Sequence, residues 1–302
     1  MADEKKRIDQ PTGTETVGHE WDGIEELNTP LPRWWLWAFY ASIFWGLAYT
    51  IFYPAWPLIS EATAGVLNWS SRGQLEQQLA AEQARRAPVM RALAETPIEQ
   101  LEANPQLMQA AVEGGRAAFR QNCVQCHGSG AAGSKGYPNL NDDDWLWGGD
   151  LKSIHYSIEH GVRNPGHDQT RTSQMPAFGR DGLLQANEIE DLTAYVRTIS
   201  RQRRVDISAK RGAALYQTNC AACHGSSGKG NREFGAPNLT DAIWLYRGDE
   251  ESVRKSIHDA RFGVMPRWGG KLDPATTRML AAYVHSLGGG ERQTVQTAKK
   301  EK

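Results

Sequence analysis

The sequence lacks an excess of charge of either sign, because 34 lysine and arginine residues oppose 35 aspartate and glutamate residues. Proteins that bind nucleic acid usually carry a basic surface, so nucleic acid is not expected as a partner. Cysteine is also scarce. The four cysteines of the 302-residue chain all fall in two Cys-x-x-Cys-His motifs, which leaves none for a disulfide framework. We therefore expect the cysteines to bind a cofactor.

Charged side chains are absent from residues 34–60, whereas 11 of the 27 aromatic residues lie between Trp34 and Trp56. As a helix this segment would extend roughly 40 Å at about 1.5 Å per residue, which is enough to cross a bilayer. Aromatic residues at both ends are typical of membrane interfaces, and Pro54 and Pro57 mark the exit. We predict an uncleaved transmembrane helix. The alternative is a buried aromatic core helix, although core helices of this length without charge are uncommon.

The polar sequence after this segment, rich in alanine and glutamine, predicts a helical spacer over residues 61–107. Its first helix is expected to end near Pro88, because proline breaks a helix interior. A capping-box pattern at Thr96 and an Asn-Pro pair at Asn104 predict further short helices. Residues 291–302 are charged and have no apolar face, which predicts a disordered tail.

Four sequence blocks then occur twice in the same order. The block GRAAFRQNCVQCHG resembles GAALYQTNCAACHG, and YPNLNDDDWLWGGD resembles APNLTDAIWLYRGD. A Met-Pro pair follows in both copies, and then the blocks AYVRTIS and AYVHSLG. The duplication predicts two equivalent domains, over residues 108–203 and 204–290, each ending in a closing helix. Both domains have helical periodicity and no convincing strand pattern.

The Cys-x-x-Cys-His spacing has a mechanical explanation. Two thiols on one helical turn can form thioethers with the two vinyl groups of a haem, and the following histidine can bind its iron. The motifs predict two covalently bound haem c groups, held by Cys123, Cys126 and His127 and by Cys220, Cys223 and His224. A zinc site would combine both cysteine pairs, but these lie 97 residues apart. A thioredoxin-like redox pair would need a strand-rich context.

A second iron ligand must come from elsewhere in each repeat. The Met-Pro pair recurs, and a thioether sulfur suits iron and raises the haem potential relative to two histidines. We predict Met175 and Met265 as the distal ligands. The alternative is that these methionines only pack the core and that a histidine binds the iron. None of the remaining histidines has an equivalent in the other repeat: His19, His155, His160, His167, His258 and His285.

Irons with two protein ligands each would keep no open position for a substrate, so such sites pass single electrons. A dihaem peroxidase would need an exchangeable sixth position at one iron, and the repeated Met-Pro pair argues against it. We find no other catalytic constellation in the sequence. It therefore predicts an electron-transfer protein that has no catalytic site of its own.

The order of motif, Pro-x-Leu, methionine and closing helix resembles class I cytochromes c. In that family a proline carbonyl accepts a hydrogen bond from the proximal imidazole, and Pro138 and Pro237 match the position. The resemblance implies that these prolines orient His127 and His224. A proline that merely shapes a loop is the alternative. The expected fold is all-α, with one N-terminal transmembrane helix followed by two tandem class I cytochrome c domains.

The stretch HEWDGIEELNTPLPRWW precedes the membrane segment. Together with the two haem motifs, it resembles the dihaem subunit of cbb3-type cytochrome c oxidases, the CcoP or FixP family. The resemblance implies a subunit that accepts electrons from cytochrome c or the bc1 complex. It also implies two partner subunits, a monohaem cytochrome c and a haem-copper catalytic subunit. The catalytic subunit would reduce oxygen and pump protons.

Haem is attached to such motifs outside the cytoplasm. We therefore expect a single-pass protein of the bacterial inner membrane, with residues 1–33 in the cytoplasm and residues 61–302 in the periplasm. The alternative function is an independent dihaem shuttle, or the cytochrome subunit of a periplasmic dehydrogenase. Neither alternative would need the DGIEELNTPLPRWW element.

Overall fold

The computed structural model describes residues 6–292, which divide into two compact units with the boundary between Arg85 and Arg86. The first unit begins with a β-hairpin that was not predicted, formed by β1 (Thr16–Trp21) and β2 (Ile24–Leu27). Asp22 and Gly23 form its two-residue turn, and both have positive φ, as the commonest hairpin turn requires. The hairpin is a small exception to an otherwise helical fold.

Helix α1 (Arg33–Phe52) is the candidate membrane span. Its 20 residues extend about 30 Å, close to the thickness of the hydrocarbon core, and none of them is buried. The absence of burial within this chain argues against the alternative of a buried core helix. The helix ends eight residues before the predicted limit of residue 60, because Pro54 and Pro57 disfavour a helical conformation in the residues before them.

Helix α2 (Ser71–Glu95) contains Pro88 in its interior, so the prediction that this helix ends near Pro88 is wrong. An interior proline costs a helix about 3 kcal/mol. The turns that follow it pack into the apolar core of the second unit, where Leu93 is fully buried and Met90 is half-buried. We attribute the continuation of the helix to this packing, which opposes the local preference.

After α2, the described part of the second unit contains a 3-10 helix (Ile98–Ala103) and eight α-helices. The 3-10 helix follows the capping pattern at Thr96. The first α-helix starts at the predicted Asn-Pro pair, where Asn104 caps it by accepting from the N–H of Leu107. The helices are α3 (Pro105–Asn122), α4 (Val124–His127), α5 (Leu151–His160), α6 (Ala186–Ile199), α7 (Ile207–Asn219), α8 (Ala221–His224), α9 (Glu250–Asp259) and α10 (Pro274–His285).

The helices form two apolar cores. The first core lies between α3, α5 and α10, and its buried residues include Phe119, Leu151, Ile154 and Leu280. The second core lies between α6, α7 and α9, and its buried residues include Leu192, Val196, Tyr216 and Ile257. Each core therefore combines helices from both sequence repeats.

The two equivalent domains predicted over residues 108–203 and 204–290 thus exchange their closing helices in the structure. The closing helix α6 of the first repeat packs on α7 of the second, and α10 of the second repeat packs on α3 of the first. Only residues 200–206 connect α6 to α7, and a short connection favours packing between consecutive helices. With α6 paired to α7, the equivalent place on α3 is taken by α10.

The two helix crossings have the same geometry. A Cβ atom at Gly115 of α3 would overlap the carbonyl of Met279, and one at Gly212 of α7 would overlap the carbonyl of Asp191. Both glycines occupy the same position in the repeated blocks, so the contact between the motif-bearing helix and a closing helix is repeated. The difference from the expectation is that α10, rather than α6, packs on α3, and that α6, rather than α10, packs on α7.

The end of the described chain is ordered at Glu291, which forms an ion pair with Arg232 and accepts from the N–H of Gly149 at 2.9 Å. The disordered tail predicted for residues 291–302 therefore does not begin at Glu291. Residues 293–302 of that prediction lie outside the described residues.

Candidate haem-attachment sites

Each Cys-x-x-Cys-His motif forms a single helical turn that follows a longer helix. The N–H of Cys123 donates to the carbonyl of Phe119 at the end of α3, and the cysteine caps the short helix α4. Cys220 makes the equivalent bond to Tyr216 and caps α8. The two cysteines of each motif therefore lie three residues apart on one helical turn.

The first cysteine of each motif, Cys123 or Cys220, is half-buried, and the second, Cys126 or Cys223, is exposed. Burial raises the pKa of the Cys123 thiol to about 11, and the pKa of the Cys220 thiol to about 11. Thiol exchange needs a thiolate, so these values oppose the alternative of a thioredoxin-like pair. Cys123 packs against the first core and Cys220 against the second, which opposes one zinc site formed by all four cysteines.

The histidine of each motif is oriented by a proline carbonyl. Nδ1 of His127 lies 3.1 Å from the carbonyl oxygen of Pro138, and Nδ1 of His224 lies 3.1 Å from that of Pro237. A carbonyl can only accept, so each Nδ1 carries the hydrogen and each Nε2 presents a lone pair. Burial lowers the pKa of both histidines, against the opposing effect of the proline carbonyl. Both imidazoles are therefore prepared as neutral metal ligands.

Met265 lies with the first motif, although it belongs to the second repeat. It packs against the first core together with Cys123 and Val124. Its backbone pairs with Val162, with both N–H to O distances at 3.0 Å, directly after α5 of the first repeat. The chain beyond it stays on α5, because the N–H of Trp268 donates to the carbonyl of Ile158.

Met175 shows the reciprocal arrangement. It belongs to the first repeat but packs against the second core together with Cys220 and Ala221. The following residues attach to α9 of the second repeat, where the N–H groups of Gly179 and Arg180 donate to the carbonyl of His258. The expectation that each repeat supplies its own methionine therefore does not match the packing, because the methionine segments are exchanged in the same way as the closing helices.

An arginine that sequence reasoning missed connects the two exchanged segments. Nε of Arg163 donates to the carbonyl of Gly263 at 2.7 Å, and Nη1 donates to the carbonyl of Ser173 at 3.1 Å. Each acceptor lies two residues before a methionine, Met265 or Met175. Arg163 has a left-handed backbone (φ 54°), and burial lowers its pKa, although a guanidinium stays charged. No feature of the sequence singles out Arg163.

A pair of equivalent arginines, Arg171 and Arg261, marks the point at which the segments cross. Arg171 donates to Ser157 on α5, and Arg261 donates to Ser256 on α9, so each arginine is bound to a helix of its own repeat. Each lies four residues before a methionine that packs in the other core. The repeated pattern Arg-x-x-x-Met-Pro was present in the sequence and could have identified both positions.

These features define the protein class of cytochromes c. Each of the two sites has a helical turn with two cysteines, a histidine oriented by a proline carbonyl, and a methionine packed in the same core as the first cysteine. Residues 13–60 match the family model of the N-terminal domain of cytochrome oxidase cbb3, FixP. Residues 110–196 and 208–284 each match that of cytochrome c oxidase, cbb3-type, subunit III. The two matched stretches correspond to the two sequence repeats.

The chain is 51% identical over 282 residues to the cbb3-type cytochrome c oxidase subunit CcoP of Cereibacter sphaeroides, covering 93% of this chain and 97% of the relative. It is 49% identical to the subunit FixP of Sinorhizobium medicae, with 96% and 100% covered, and 50% identical to FixP of Azorhizobium caulinodans, with 94% and 96% covered. The chain therefore belongs to the CcoP/FixP family of cbb3-type cytochrome c oxidase subunits. It is a membrane-anchored, haem c-binding electron-transfer subunit of an oxidoreductase complex.

Proposed function

We propose that this chain carries two covalently bound haem c groups and relays single electrons within a cbb3-type oxidase. The first haem is attached to Cys123 and Cys126, and the second to Cys220 and Cys223. The observation that carries the proposal is the repeated site: a proline carbonyl holds the histidine of each motif in its neutral form, and the first cysteine of that motif packs in the same apolar core as a methionine. When bound, haem supplies an iron that changes oxidation state by one electron.

The packing supports crossed pairs of axial ligands. His127 and Met265 would bind the iron of the first haem, and His224 and Met175 that of the second. The residues present suit this group, because each Nε2 lone pair is available and each thioether lies with the cysteines that hold the macrocycle. Neither repeat contains a complete site. The two haems therefore depend on one jointly folded unit.

The chain's own residues maintain these sites between electron transfers. Pro138 and Pro237 keep the proton on Nδ1 of each histidine, so that Nε2 stays available. With haem bound, a methionine sulfur would favour the reduced iron relative to a second histidine. A histidine and a methionine at each iron would leave no position for a substrate, so the sites would pass only electrons.

The partners follow from the family. Electrons would come from cytochrome c or the bc1 complex and pass to the monohaem subunit and the haem-copper catalytic subunit. Residues 61–302 would face the periplasm and the N-terminal segment the cytoplasm, in the bacterial inner membrane. Protease treatment of spheroplasts tests this orientation: the haem-bearing unit should be cleaved while the inner membrane is intact, and cleavage only after lysis would contradict it.

The test of function is to purify the tagged protein from its native membrane in mild detergent. We expect two haem c groups on this chain, together with b-type haem, copper and a monohaem partner. The variant C220A/C223A serves as the matched control and should reduce the count to one haem c. A chain that purifies alone with two haems, or with a dehydrogenase, would contradict the oxidase assignment.

A further inference from the structure

The segment that follows the membrane span folds back onto it. Residues 53–69, here called the return loop, leave the end of α1 and come back to its last turn. The N–H of Val66 donates to the carbonyl of Ile51 at 2.9 Å, and that of Leu67 donates to Phe52 at 3.1 Å. These carbonyls belong to the last turn of the helix and have no partner within it. The return loop is therefore attached to the end of the span.

The backbone of the return loop is also paired internally. The N–H of Thr63 donates to the carbonyl of Trp56 at 2.9 Å, and that of Leu58 donates to Glu61 at 2.6 Å. The Thr63 hydroxyl accepts from the N–H of Trp56 at 3.1 Å. Pro54 and Pro57 have no N–H to satisfy. The loop thus has a defined conformation.

Its apolar side chains point outward. Ile59 is fully exposed at the tip of the turn, Val66 is 71% exposed, and the other exposed members are Trp56, Leu58 and Leu67. Glu61 is the one charged residue between residues 53 and 69. A contiguous group of exposed apolar side chains on a structured loop marks a contact surface rather than a loop in water.

The continuity of this surface with α1 identifies what covers it. The side chains of α1 are exposed along its whole length, as for a helix in lipid, and the return loop is attached to its end. The rings of Tyr53 and Trp69 pack edge to face beside the C-terminal end of α1, with their centroids 5.8 Å apart. Tyrosine and tryptophan are the residues that favour the headgroup level.

We infer that the return loop is a lipid-contacting surface. Its apolar side chains, with Ile59 at the tip, enter the boundary between acyl chains and headgroups of the leaflet at the C-terminal end of α1. The loop then holds that end of the span at a set depth. The inference depends on the membrane anchor and not on the haem ligands, so its failure would leave the proposed electron relay intact.

The experiment uses the haem-loaded oxidase complex with the substitution Ile59→Cys. The four native cysteines are consumed by thioethers in the loaded protein, so a nitroxide label attaches to the new thiol. The oxidised complex is reconstituted into phospholipid vesicles, and the label's collisions with oxygen and with a water-soluble nickel chelate are measured. Phe44→Cys in the middle of α1 and Leu183→Cys on an exposed loop of the second unit provide the lipid and water references. Val66→Cys is a second test position.

We expect the label at Ile59 to collide with oxygen several times more often than with the nickel chelate, as in lipid, and the label at Leu183 to show the opposite preference. A label at Ile59 that behaves like the one at Leu183 would place the loop in water and overturn the inference. A label at both Ile59 and Val66 that is immobile and shielded from both reagents would mean that another subunit covers the loop, which also overturns it.

Discussion

The exchange of closing helices makes a quantitative prediction for Leu280. This leucine belongs to α10 of the second repeat, is 1% exposed, and packs in the first core. Leu280→Ala would leave a cavity in that core, and leucine to alanine changes at such sites cost about 3–5 kcal/mol. If α10 closes the first site, this loss of stability should weaken the site with His127 and Met265, although α10 follows the second haem motif in the chain.

The matched control is Leu192→Ala. Leu192 occupies the same place in α6 of the first repeat, is 0% exposed, and packs in the second core. The two substitutions therefore delete the same atoms from equivalent positions. Leu192→Ala should weaken the site with His224 and Met175 and leave the other unchanged.

The assay is a titration of the oxidised protein with imidazole, which competes with the methionine for the iron. The methionine–iron charge-transfer absorption reports the displacement. The background C220A/C223A retains only the first haem, and C123A/C126A retains only the second. Leu280→Ala should raise the affinity of the first haem for imidazole by at least about tenfold. A tenfold change corresponds to about 1.4 kcal/mol, so only part of the lost packing energy needs to weaken the methionine–iron bond.

The converse result would refute the reasoning. If Leu280→Ala weakens only the second haem and Leu192→Ala only the first, each repeat closes on its own helix. If a single-haem background does not assemble, the two axial methionine methyl resonances in the full protein provide the same comparison by NMR.

Three further predictions follow from the same structure. Met265→His should lower the potential of the haem held by Cys123 and leave the second haem unchanged, and a redox titration that shows the shift at the second haem would contradict the crossed ligands. Arg163→Gln should weaken methionine ligation at both haems, because its two carbonyl contacts hold both segments; loss of the charge-transfer absorption at only one haem would limit its role to one segment. Pro88→Ala should stabilise α2 by up to about 3 kcal/mol, seen as slower amide exchange in that helix, and unchanged exchange would mean that the helix is relaxed around the proline.

Local features of the site were predictable because they depend on short stretches of chain. The hydrogen bonds from His127 to Pro138 and from His224 to Pro237 span 11 and 13 residues within one repeat. The membrane helix was predictable because an uncharged run is visible without any tertiary contact. Its end at Phe52 rather than at residue 60 was not, although the prolines that cause it were noted.

Other features needed long-range contacts. Helix α2 continues through Pro88 although proline disfavours the interior of a helix. The residues after Pro88 pack in the first core, where Leu93 is buried, and this contact was not visible in the local sequence. Arg163 contacts Gly263 across 100 residues, so its place between the two methionine segments has no counterpart in a local pattern. The β-hairpin had a signal in Asp22-Gly23 that was overlooked.

The sequence by itself determined the residues of the two candidate sites: a Cys-x-x-Cys-His turn, a proline carbonyl partner for its histidine and a recurrent methionine in each repeat. Only the tertiary structure decided which methionine and which closing helix pack beside which motif. The physical reason is that the repeats present equivalent surfaces, with the same glycine crossing at Gly115 and Gly212 and leucines at the same place in α6 and α10. The local sequence patterns are therefore compatible with each closing helix packing on either motif-bearing helix. The short connection between α6 and α7 favours the pairing of these two helices.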